Sequence, residues 1–243
     1  MELKRYAAKT HQGPFIQNNE DGYNVELSSQ LYMLFDGFGG AGIGDQVVKN
    51  LIQNISNFYL KIADDPEATV PFAHNEKYSI EANALINACL ASQQLLWREN
   101  QQLDINRRGG ASGQILNQVG STLYVFSVGN LLLLRKRGHH FSSIIQPDSF
   151  HTLSHSAKGP YVTFPLSAFG LYEHLDFRFY EFRTYPLDTY LCLTDGIYNY
   201  LSPRELCEFF RPEEPLNQSL ELMFQRACQR GNKDNLSALI LEY

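Results

Sequence analysis

Long apolar runs are missing from this sequence of 243 residues. No stretch approaches the roughly twenty apolar residues that a membrane-spanning helix requires. The first six residues, Met1 to Tyr6, also lack the apolar centre of a secretory signal. We therefore expect a soluble cytoplasmic protein that does not enter a membrane.

Cysteine is scarce, and its four positions show no paired spacing. Two of them fall inside apolar stretches, where a reduced thiol behaves as a small hydrophobic side chain. The pattern predicts core residues in a reducing compartment. The four are Cys89, Cys192, Cys207 and Cys228.

Positive charge is also in short supply, because the net charge is −6. A nucleic-acid-binding protein needs a basic face to neutralise phosphates, so this class of function is disfavoured. The only basic cluster, Arg135 to His140, contains Gly138 and is typical of a hairpin tip. We expect proteins, not nucleic acids, as partners.

What the sequence does contain is material for a substantial core, since 44% of its residues are hydrophobic and 19% are charged. A chain of this length and composition is able to bury one core. We find no linker and no repeat, and we therefore predict a single domain over residues 1–243.

Hydrophobic periodicity predicts paired helices among runs of strands. We predict helices over residues 45–62, 79–100, 203–210 and 216–230. Besides a short strand near the N-terminus, we predict strands over residues 22–27, 31–35, 123–128, 131–135, 141–145, 150–153, 161–164, 177–183, 190–193 and 237–242. This order favours an α+β fold, with antiparallel strands and helix pairs in layers, over alternating βαβ units.

Two further expectations concern the middle of the chain. Residues 106–118 have no periodicity and are predicted to form an exposed loop, with a glycine-rich phosphate cradle as a less favoured alternative. From Thr122 onward we predict a meander, in which the strand over residues 123–128 turns at Gly129-Asn130 into the strand over residues 131–135.

Two apolar runs end at Asp-Gly, far apart in the chain. Leu31 to Phe35 leads into Asp36-Gly37, and Tyr190 to Thr194 leads into Asp195-Gly196. A strand that delivers a carboxylate at its last position, with a glycine that permits close backbone approach, presents oxygen ligands well to a hard cation. A single Asp-Gly is most often only a turn, but two of the same design predict a shared site.

Five motifs occur in a fixed order against these strands, and together they resemble the metal-dependent serine/threonine protein phosphatases (PPM, type 2C). The resemblance extends from about residue 18 to the C-terminus. The motifs are Asn19-Glu20-Asp21, Asp36-Gly37-Phe38-Gly39-Gly40, Gly120-Ser121-Thr122, Thr194-Asp195-Gly196 and Asp234-Asn235.

The resemblance implies a fold, a metal site and a reaction. The fold would be an antiparallel β-sandwich flanked by helix pairs, with two Mg²⁺ or Mn²⁺ ions at one end. Asp36 would bridge the ions, the Gly37 carbonyl would complete one shell, Asp195 and Asp234 would hold one ion, and Glu20 would contact the other through water. Oxygen-only ligation suits these hard cations better than zinc. Two such ions lower the pKa of a shared water, which then attacks a phosphoester.

A third, weaker metal site is a secondary expectation. The family has a Gly-Asp-Ser-Arg strand, and its best counterpart here is Pro147-Asp148-Ser149-Phe150, which keeps only Asp-Ser. Asp148 would be the ligand, although Asp before Ser is also an ordinary turn. The neighbouring His151 and His155 are interpreted as surface residues instead of a transition-metal site.

The sequence departs from the family at two positions near the start. The family usually carries a phosphate-binding arginine four residues before the glutamate of Asn-Glu-Asp, and this position is Ile16. Phe38 occupies a position where many eukaryotic members have a histidine that acts as general acid. Substitute cations for the phosphate would be Lys9, His11 or Arg107.

Two hypotheses therefore stay open. The favoured one is a working phosphomonoesterase that removes phosphate from Ser or Thr residues of a protein and opposes a Ser/Thr kinase. The alternative is a pseudophosphatase or signalling module that binds a partner protein without significant catalysis. Retention of Glu20, Asp36, Asp195 and Asp234 favours the first, and Ile16 favours the second.

Overall fold

Two antiparallel sheets of five strands each form the centre of the computed structural model, which describes residues 1–63, 70–152, 162–210 and 214–243. The first sheet has the strand order β1-β12-β11-β6-β7, and the second has the order β10-β5-β4-β3-β2. The strands of the first sheet are β1 (Arg5–His11), β6 (Leu132–Arg137), β7 (His140–Ile145), β11 (Thr189–Leu193) and β12 (Leu236–Glu242). Those of the second are β2 (Asp21–Glu26), β3 (Leu31–Gly39), β4 (Gly109–Val119), β5 (Thr122–Val128) and β10 (Arg178–Arg183).

Helices cover the outer face of each sheet. The pair α1 (Gly44–Ala63) and α2 (Ile80–Gln101) packs on the second sheet, and α3 (Asp195–Tyr198), α4 (Pro203–Phe209) and α5 (Leu216–Gln229) pack on the first. A separate hairpin joins β8 (Ser149–Thr152) to β9 (Val162–Pro165). The predicted α+β fold, with helix pairs outside a β-sandwich, is confirmed. Among the described helices, none combines the length and the apolar character needed to cross a bilayer.

Strand β3 illustrates why its residues are apolar without alternation. Leu31, Met33 and Phe35 pack against the helix pair, whereas Tyr32 and Leu34 lie in the core between the two sheets. A strand covered on both faces needs apolar side chains on both. The continuous apolar run of the sequence thus reports a position inside the layers.

Two of the helices, α2 and α4, begin at serine caps. Ser79 precedes α2 and its hydroxyl accepts a hydrogen bond from the Ala82 amide at 3.2 Å. Ser202 and Glu205 form a reciprocal capping box at the start of α4, with Pro203 as the first helical residue. Each cap satisfies amide groups that the first helical turn leaves unpaired.

The predicted exposed loop over residues 106–118 is wrong from residue 109 onward, although residues 106 and 107 are exposed. Gly109–Val119 is strand β4, in the middle of the second sheet, and all of its residues except Val119 are buried. The polar side chains of β4 interrupt the hydrophobic pattern that would indicate a strand. Inside the fold, these side chains have hydrogen-bond partners. Gln114 donates to the Leu131 carbonyl at 3.1 Å, and the Asn117 side chain accepts from the Tyr59 hydroxyl at 3.1 Å. The proposed phosphate cradle in this stretch is therefore a buried strand.

The predicted meander is also wrong, because β5 and β6 belong to different sheets. The chain crosses from the second sheet to the first at Gly129, whose φ of 83° lies in the left-handed region that glycine tolerates. The next pair, β6 and β7, does form the expected hairpin, with Gly138 in the turn. Alternation within each strand does not indicate which sheet the strand joins.

Candidate functional site

Four of the predicted carboxylates line one cavity of about 370 Å³ at an end of the sandwich. The acidic lining residues are Glu20, Asp36, Asp195 and Asp234. The remaining described lining residues are Gly37, Phe38, Asn130, Thr163, Phe164, Pro165 and Leu171. The cavity therefore brings together strand β3 of the second sheet, the β8–β9 hairpin, the start of α3 and the loop before β12.

Asp36 lies within β3, not at its end, since the strand continues to Gly39. Its Cα pairs with Asp21 on one side and with Ser112 of β4 on the other. The predicted strand end at Phe35 was too early because the glycines that follow still form ladder pairs with β4. Asp36 is thus held rigidly by two neighbouring strands.

Asp195 is separated from the end of β11 by Thr194 alone and is the first residue of α3. The Thr163 hydroxyl of β9 donates a hydrogen bond to its Oδ2. The hairpin of β8 and β9 is in this way attached to the first sheet at the cavity.

The two Asp-Gly glycines fit places where the backbones come very close. A Cβ atom on Gly37 would lie 2.5 Å from the Glu20 carbonyl oxygen, and one on Gly196 would lie 1.9 Å from the Asn235 carbonyl oxygen. Any side chain at these positions would push the neighbouring segment away. The glycines therefore permit the Glu20 and Asn235 segments to approach the aspartates.

Glu20 is fixed by its backbone and by its carboxylate. Its amide donates to the Asn235 side-chain oxygen at 2.9 Å, and its Oε1 accepts from the Gly44 amide at 3.0 Å, at the start of α1. A carboxylate at a helix N-terminus is favourable because the free amides and the helix dipole both attract negative charge.

Asp234 lies in a loop that braces itself. The Asn232 side chain accepts from the Asp234 amide at 3.1 Å and donates to its carbonyl at 2.8 Å. Asn235 in turn donates to the carbonyls of Gln12 and Asn18, at 2.9 and 3.2 Å. The amide-rich sequence of this loop thus ties the C-terminal strand to the segment that carries Glu20.

Asn130 is a cavity residue that sequence analysis missed. Its side-chain nitrogen lies 3.3 Å from Asp36 Oδ2 and 3.4 Å from Asp195 Oδ2. The sequence pattern predicts Asn130 as the second residue of a Gly-Asn turn within one sheet. Its place in the cavity follows instead from the crossing of the chain between the two sheets, which the sequence does not reveal.

Asp21 is a second group whose position was not anticipated. It is buried beside Asp36, and the Thr194 hydroxyl donates to its Oδ2 at 3.1 Å. The Asn19-Glu20-Asp21 motif contained it, but strand alternation places its side chain apart from that of Glu20. Gly120-Ser121-Thr122, another motif of the resemblance, spans the β4–β5 turn and the first residue of β5, at the end of these strands away from Asn130.

The cavity is electrostatically unfavourable for ionised carboxylates. Loss of hydration, together with the charges of Asp195, Asp21 and Asp234, raises the pKa of Asp36 well above its usual range, and the Asn130 hydrogen bond opposes this only in part. Burial, reinforced by Asp234, raises the pKa of Asp195 to about 6. Burial is likewise the main reason that the pKa of Asp21 is raised to about 8. Burial also raises the pKa of Glu20 and of Asp234.

No positive side chain relieves this repulsion from the cavity wall, since no Lys, Arg or His is among the described lining residues. Of the proposed substitute cations, Lys9 pairs with Glu221 and lies over the Phe224 ring. His11 accepts a hydrogen bond from the Gly13 amide at 2.9 Å. Arg107 ends a short 3₁₀ turn, and Ile16 is half-buried in the segment between β1 and β2.

The donor chemistry of this cavity fits hard divalent cations. Its ligating groups are oxygens, and the side-chain oxygen of Asn130 is buried without a hydrogen-bond partner within the described ranges. As they stand, however, no three His, Cys, Asp or Glu side chains in the described part of the chain are arranged to hold an ion.

Asp148 does not line this cavity. Its carboxylate forms an ion pair with Arg178 at 3.4 Å, and its amide donates to the Gly129 carbonyl at 2.9 Å. It would have to leave Arg178 in order to bind a metal. The side chain of His151 and the whole of His155 lie outside the described residues, as do Leu153 and Tyr161 of the predicted strands.

Comparisons with known proteins agree on the fold. The structure matches PppA, "a key regulatory component of T6SS in Pseudomonas aeruginosa", with 20% identity and a TM-score of 0.77 over 99% of this chain and 98% of that one. It matches the Mycobacterium tuberculosis serine/threonine phosphatase PstP with 19% identity and a TM-score of 0.78, over 98% and 97% of the two chains. The PstP catalytic domain in complex with two manganese ions gives 18% identity and a TM-score of 0.76, over 98% and 97%.

No protein-family model matches the sequence, and no curated protein matches it. The likeness is therefore one of structure, and it extends over nearly the whole chain.

Proposed function

We propose that this chain, which has the fold of the PPM-type serine/threonine phosphatases, is a metal-dependent phosphomonoesterase that acts on phosphoserine and phosphothreonine of proteins. The observation that carries the proposal is the cavity in which carboxylates of both sheets meet without a lining cation among the described residues. Such an arrangement is costly for a structural role, because buried carboxylates are normally paired. It suits a site that is completed by a cation.

The proposed ligands are those of the resemblance. Asp36 would bridge two Mg²⁺ or Mn²⁺ ions, with the Gly37 carbonyl, Asp195, Asp234 and, through water, Glu20 completing their shells. When bound, the ions would activate water and neutralise charge on the phosphoryl oxygens. Asp148 is kept as a weaker third site.

The chain's own residues determine how a phosphate would enter. A phosphate monoester carries about two negative charges at neutral pH, and the carboxylates of the metal-free cavity would repel it. Phe38, Phe164 and Leu171 supply the large apolar side chains of the same cavity wall. Binding of substrate is therefore expected to require a divalent cation first.

Turnover of a phosphothreonine peptide tests the proposal directly. The purified chain should release phosphate with Mn²⁺ or Mg²⁺ and stop when a chelator is added. Asp36→Asn serves as the matched inactive variant, because it removes one charge without changing the size of the side chain. No turnover at any divalent ion concentration, or the same rate with chelator, would overturn the catalytic proposal.

The alternative function is a pseudophosphatase or signalling module that binds a partner protein. Two observations favour it: Ile16 stands where a phosphate-binding arginine is expected, and no described lining residue is cationic. The similarity to PppA, described as a regulatory component, is compatible with either function. Mn²⁺-dependent stabilisation without turnover would support this alternative.

The proposed partners are a phosphorylated protein and the Ser/Thr kinase that it opposes or that kinase's targets. We propose one phosphatase domain over residues 1–243, since the matched structures cover 98% or more of the chain. The proposed compartment is the cytoplasm, and it rests on the four free cysteines.

A further inference from the structure

Asn130 lies at the point where the chain passes from the second sheet to the first. It follows Gly129, where a Cβ atom would lie 2.2 Å from the Ser112 hydroxyl oxygen. That same hydroxyl oxygen accepts a hydrogen bond from the Asn130 amide at 3.3 Å. Glycine at position 129 therefore permits the crossing strand to reach Ser112, the residue paired with Asp36 in the ladder.

The backbone of Asn130 is also held from the side of the first sheet. The Tyr198 hydroxyl of α3 donates to the Asn130 carbonyl at 2.6 Å. The residue is 3% exposed, so the surrounding fold determines where its side chain lies.

The side-chain nitrogen of Asn130 lies between two carboxylates of the cavity. It lies within hydrogen-bond distance of Asp36 Oδ2, at 3.3 Å, and of Asp195 Oδ2, at 3.4 Å. An amide nitrogen carries two hydrogens, one for each carboxylate. The other end of the amide, Oδ1, is buried and has no hydrogen-bond partner among the described residues. Only the donor end has found partners, which points to the carboxylates as the reason for this placement.

We propose that Asn130 is a positioning residue that holds Asp36 and Asp195 together across the two sheets before any cation binds, an inference that rests on the proposed function for its catalytic consequence. A carboxylate at this position would add a like charge to the pair, whereas an apolar side chain would leave both carboxylates without this donor. The neutral amide instead allows the metal-free chain to keep the two aspartates close.

Two near-isosteric variants test this role. Asn130→Asp replaces the amide donor with a carboxylate oxygen, which only accepts hydrogen bonds. Asn130→Leu removes both the donor and the acceptor of the amide. In metal-free buffer at pH 8, the melting temperature of Asn130→Asp should fall well below that of the wild type, and saturating Mn²⁺ should recover most of the loss. Asn130→Leu should bind Mn²⁺ at least about tenfold more weakly in a calorimetric titration, which corresponds to roughly 1.4 kcal/mol.

Asn117→Leu is the matched control. Asn117 is a buried amide of β4, but its contacts are with Tyr59 and with the carbonyls of Ser29 and Gln30, away from the cavity. This variant should lose stability and keep the Mn²⁺ affinity of the wild type. A purely structural role for Asn130 would give the same result as the control.

The inference is overturned if Asn130→Leu binds Mn²⁺ like the wild type, or if Asn130→Asp melts at the wild-type temperature without metal. Phosphopeptide turnover by the wild type decides the proposed function separately. If the wild type binds Mn²⁺ without turnover, the catalytic proposal fails while the Asn130 titration still decides the inference. If the wild type binds no Mn²⁺, the melting temperature of Asn130→Asp in metal-free buffer, compared with that of the wild type, is the measurement that decides the inference about Asn130.

Discussion

Strand β11 has a buried aspartate beside each of its ends, and the fold treats the two differently. Asp188 precedes the strand and receives two hydrogen bonds of 2.7 Å from the Arg137 guanidinium. Asp195 follows the strand and receives hydrogen bonds from Thr163 and Asn130, with no cationic partner among the described residues. The fold can therefore provide a positive side chain for a buried carboxylate, and it does so only at the end away from the cavity.

The environment of Arg137 strengthens the contrast. Its guanidinium stacks over the Tyr185 ring with 4.5 Å between Cζ and the ring centroid, and the Tyr185 amide also donates to Asp188, at 2.9 Å. At this end of the sandwich the buried carboxylate of Asp188 thus has both a counter-charge and a backbone donor. At the cavity end the carboxylates oppose one another, which is the condition expected of a site that awaits a cation.

The largest expected effect comes from breaking the paired end. Arg137→Leu should destabilise the chain by about 3 kcal/mol, because it leaves the buried Asp188 without its counter-charge. Denaturant unfolding at neutral pH measures the change. The matched double variant Arg137→Leu with Asp188→Asn should recover a large part of the loss, and a single variant as stable as the wild type would show that the pair contributes nothing.

The unpaired end should respond in activity instead. Asp36→Asn should lower turnover of a phosphothreonine peptide by at least about a hundredfold, or nearly 3 kcal/mol of barrier, because a bridging carboxylate would serve both ions. Asp148→Asn is the control and should have a smaller effect, since Asp148 pairs with Arg178 outside the cavity. Mn²⁺ titration of both variants provides a second readout. If Asp36→Asn keeps the parental rate and Mn²⁺ affinity, the proposed ligand set is misplaced.

Adding a cation at position 16, in the segment that leads to Glu20, is expected to have an intermediate effect. Ile16→Arg should raise kcat/KM for a small phosphate substrate by about tenfold, roughly 1.4 kcal/mol, mainly through KM. Ile16 is half-buried in the segment between β1 and β2, not in a strand pair, so the arginine should be tolerated. Thermal melts beside the kinetics check this, and a stable variant with unchanged KM would show that the phosphate does not lie near position 16.

The smallest expected effect is a pH dependence of metal-free stability. The folded-state pKa of Asp195 is about 6 and that of Asp21 is about 8, both above the unfolded value near 4. The stability that these two carboxyl groups contribute is fully present below pH 4, and it is lost as the pH rises through their folded-state pKa values. The melting temperature should therefore fall from pH 5 to pH 8 by at least about 2–4 °C, or roughly 1 kcal/mol for a domain of this size.

Two controls separate the cavity from the rest of the molecule in that experiment. Asp21→Asn should flatten the profile between pH 6 and pH 8, and saturating Mn²⁺ should raise the melting temperature most at pH 8, where the carboxylates are ionised. A melting temperature that rises with pH in metal-free buffer would contradict the assigned burial of these carboxyls.

Much of the architecture was predictable because its signals are local. The helix over residues 45–62 was visible in apolar positions at three- and four-residue intervals, and α1 spans Gly44–Ala63. Strands β2 and β3 and the closing strand β12 followed from short apolar runs between turn residues. Local periodicity is able to identify such elements because each one must bury a defined face, whatever its neighbours are.

The candidate site was predictable only in part. Asp36 and Asp195 were selected by their own sequence context, and the structure brings both to one cavity with Glu20 and Asp234. Their roles as metal ligands stay proposals. Asp148 was chosen from a partial motif, and the structure pairs it with Arg178 instead.

The sequence by itself thus determined the layered elements and the aspartates that end or interrupt apolar runs, because these depend on residues close together in the chain. Only the tertiary structure decided that the polar strand β4 is buried, that β5 and β6 join different sheets, and that Asn130 lies between Asp36 and Asp195. Each of these depends on partners far apart in the sequence. Burial of a polar side chain is favourable only when distant groups satisfy its hydrogen bonds, and no local pattern records whether they will.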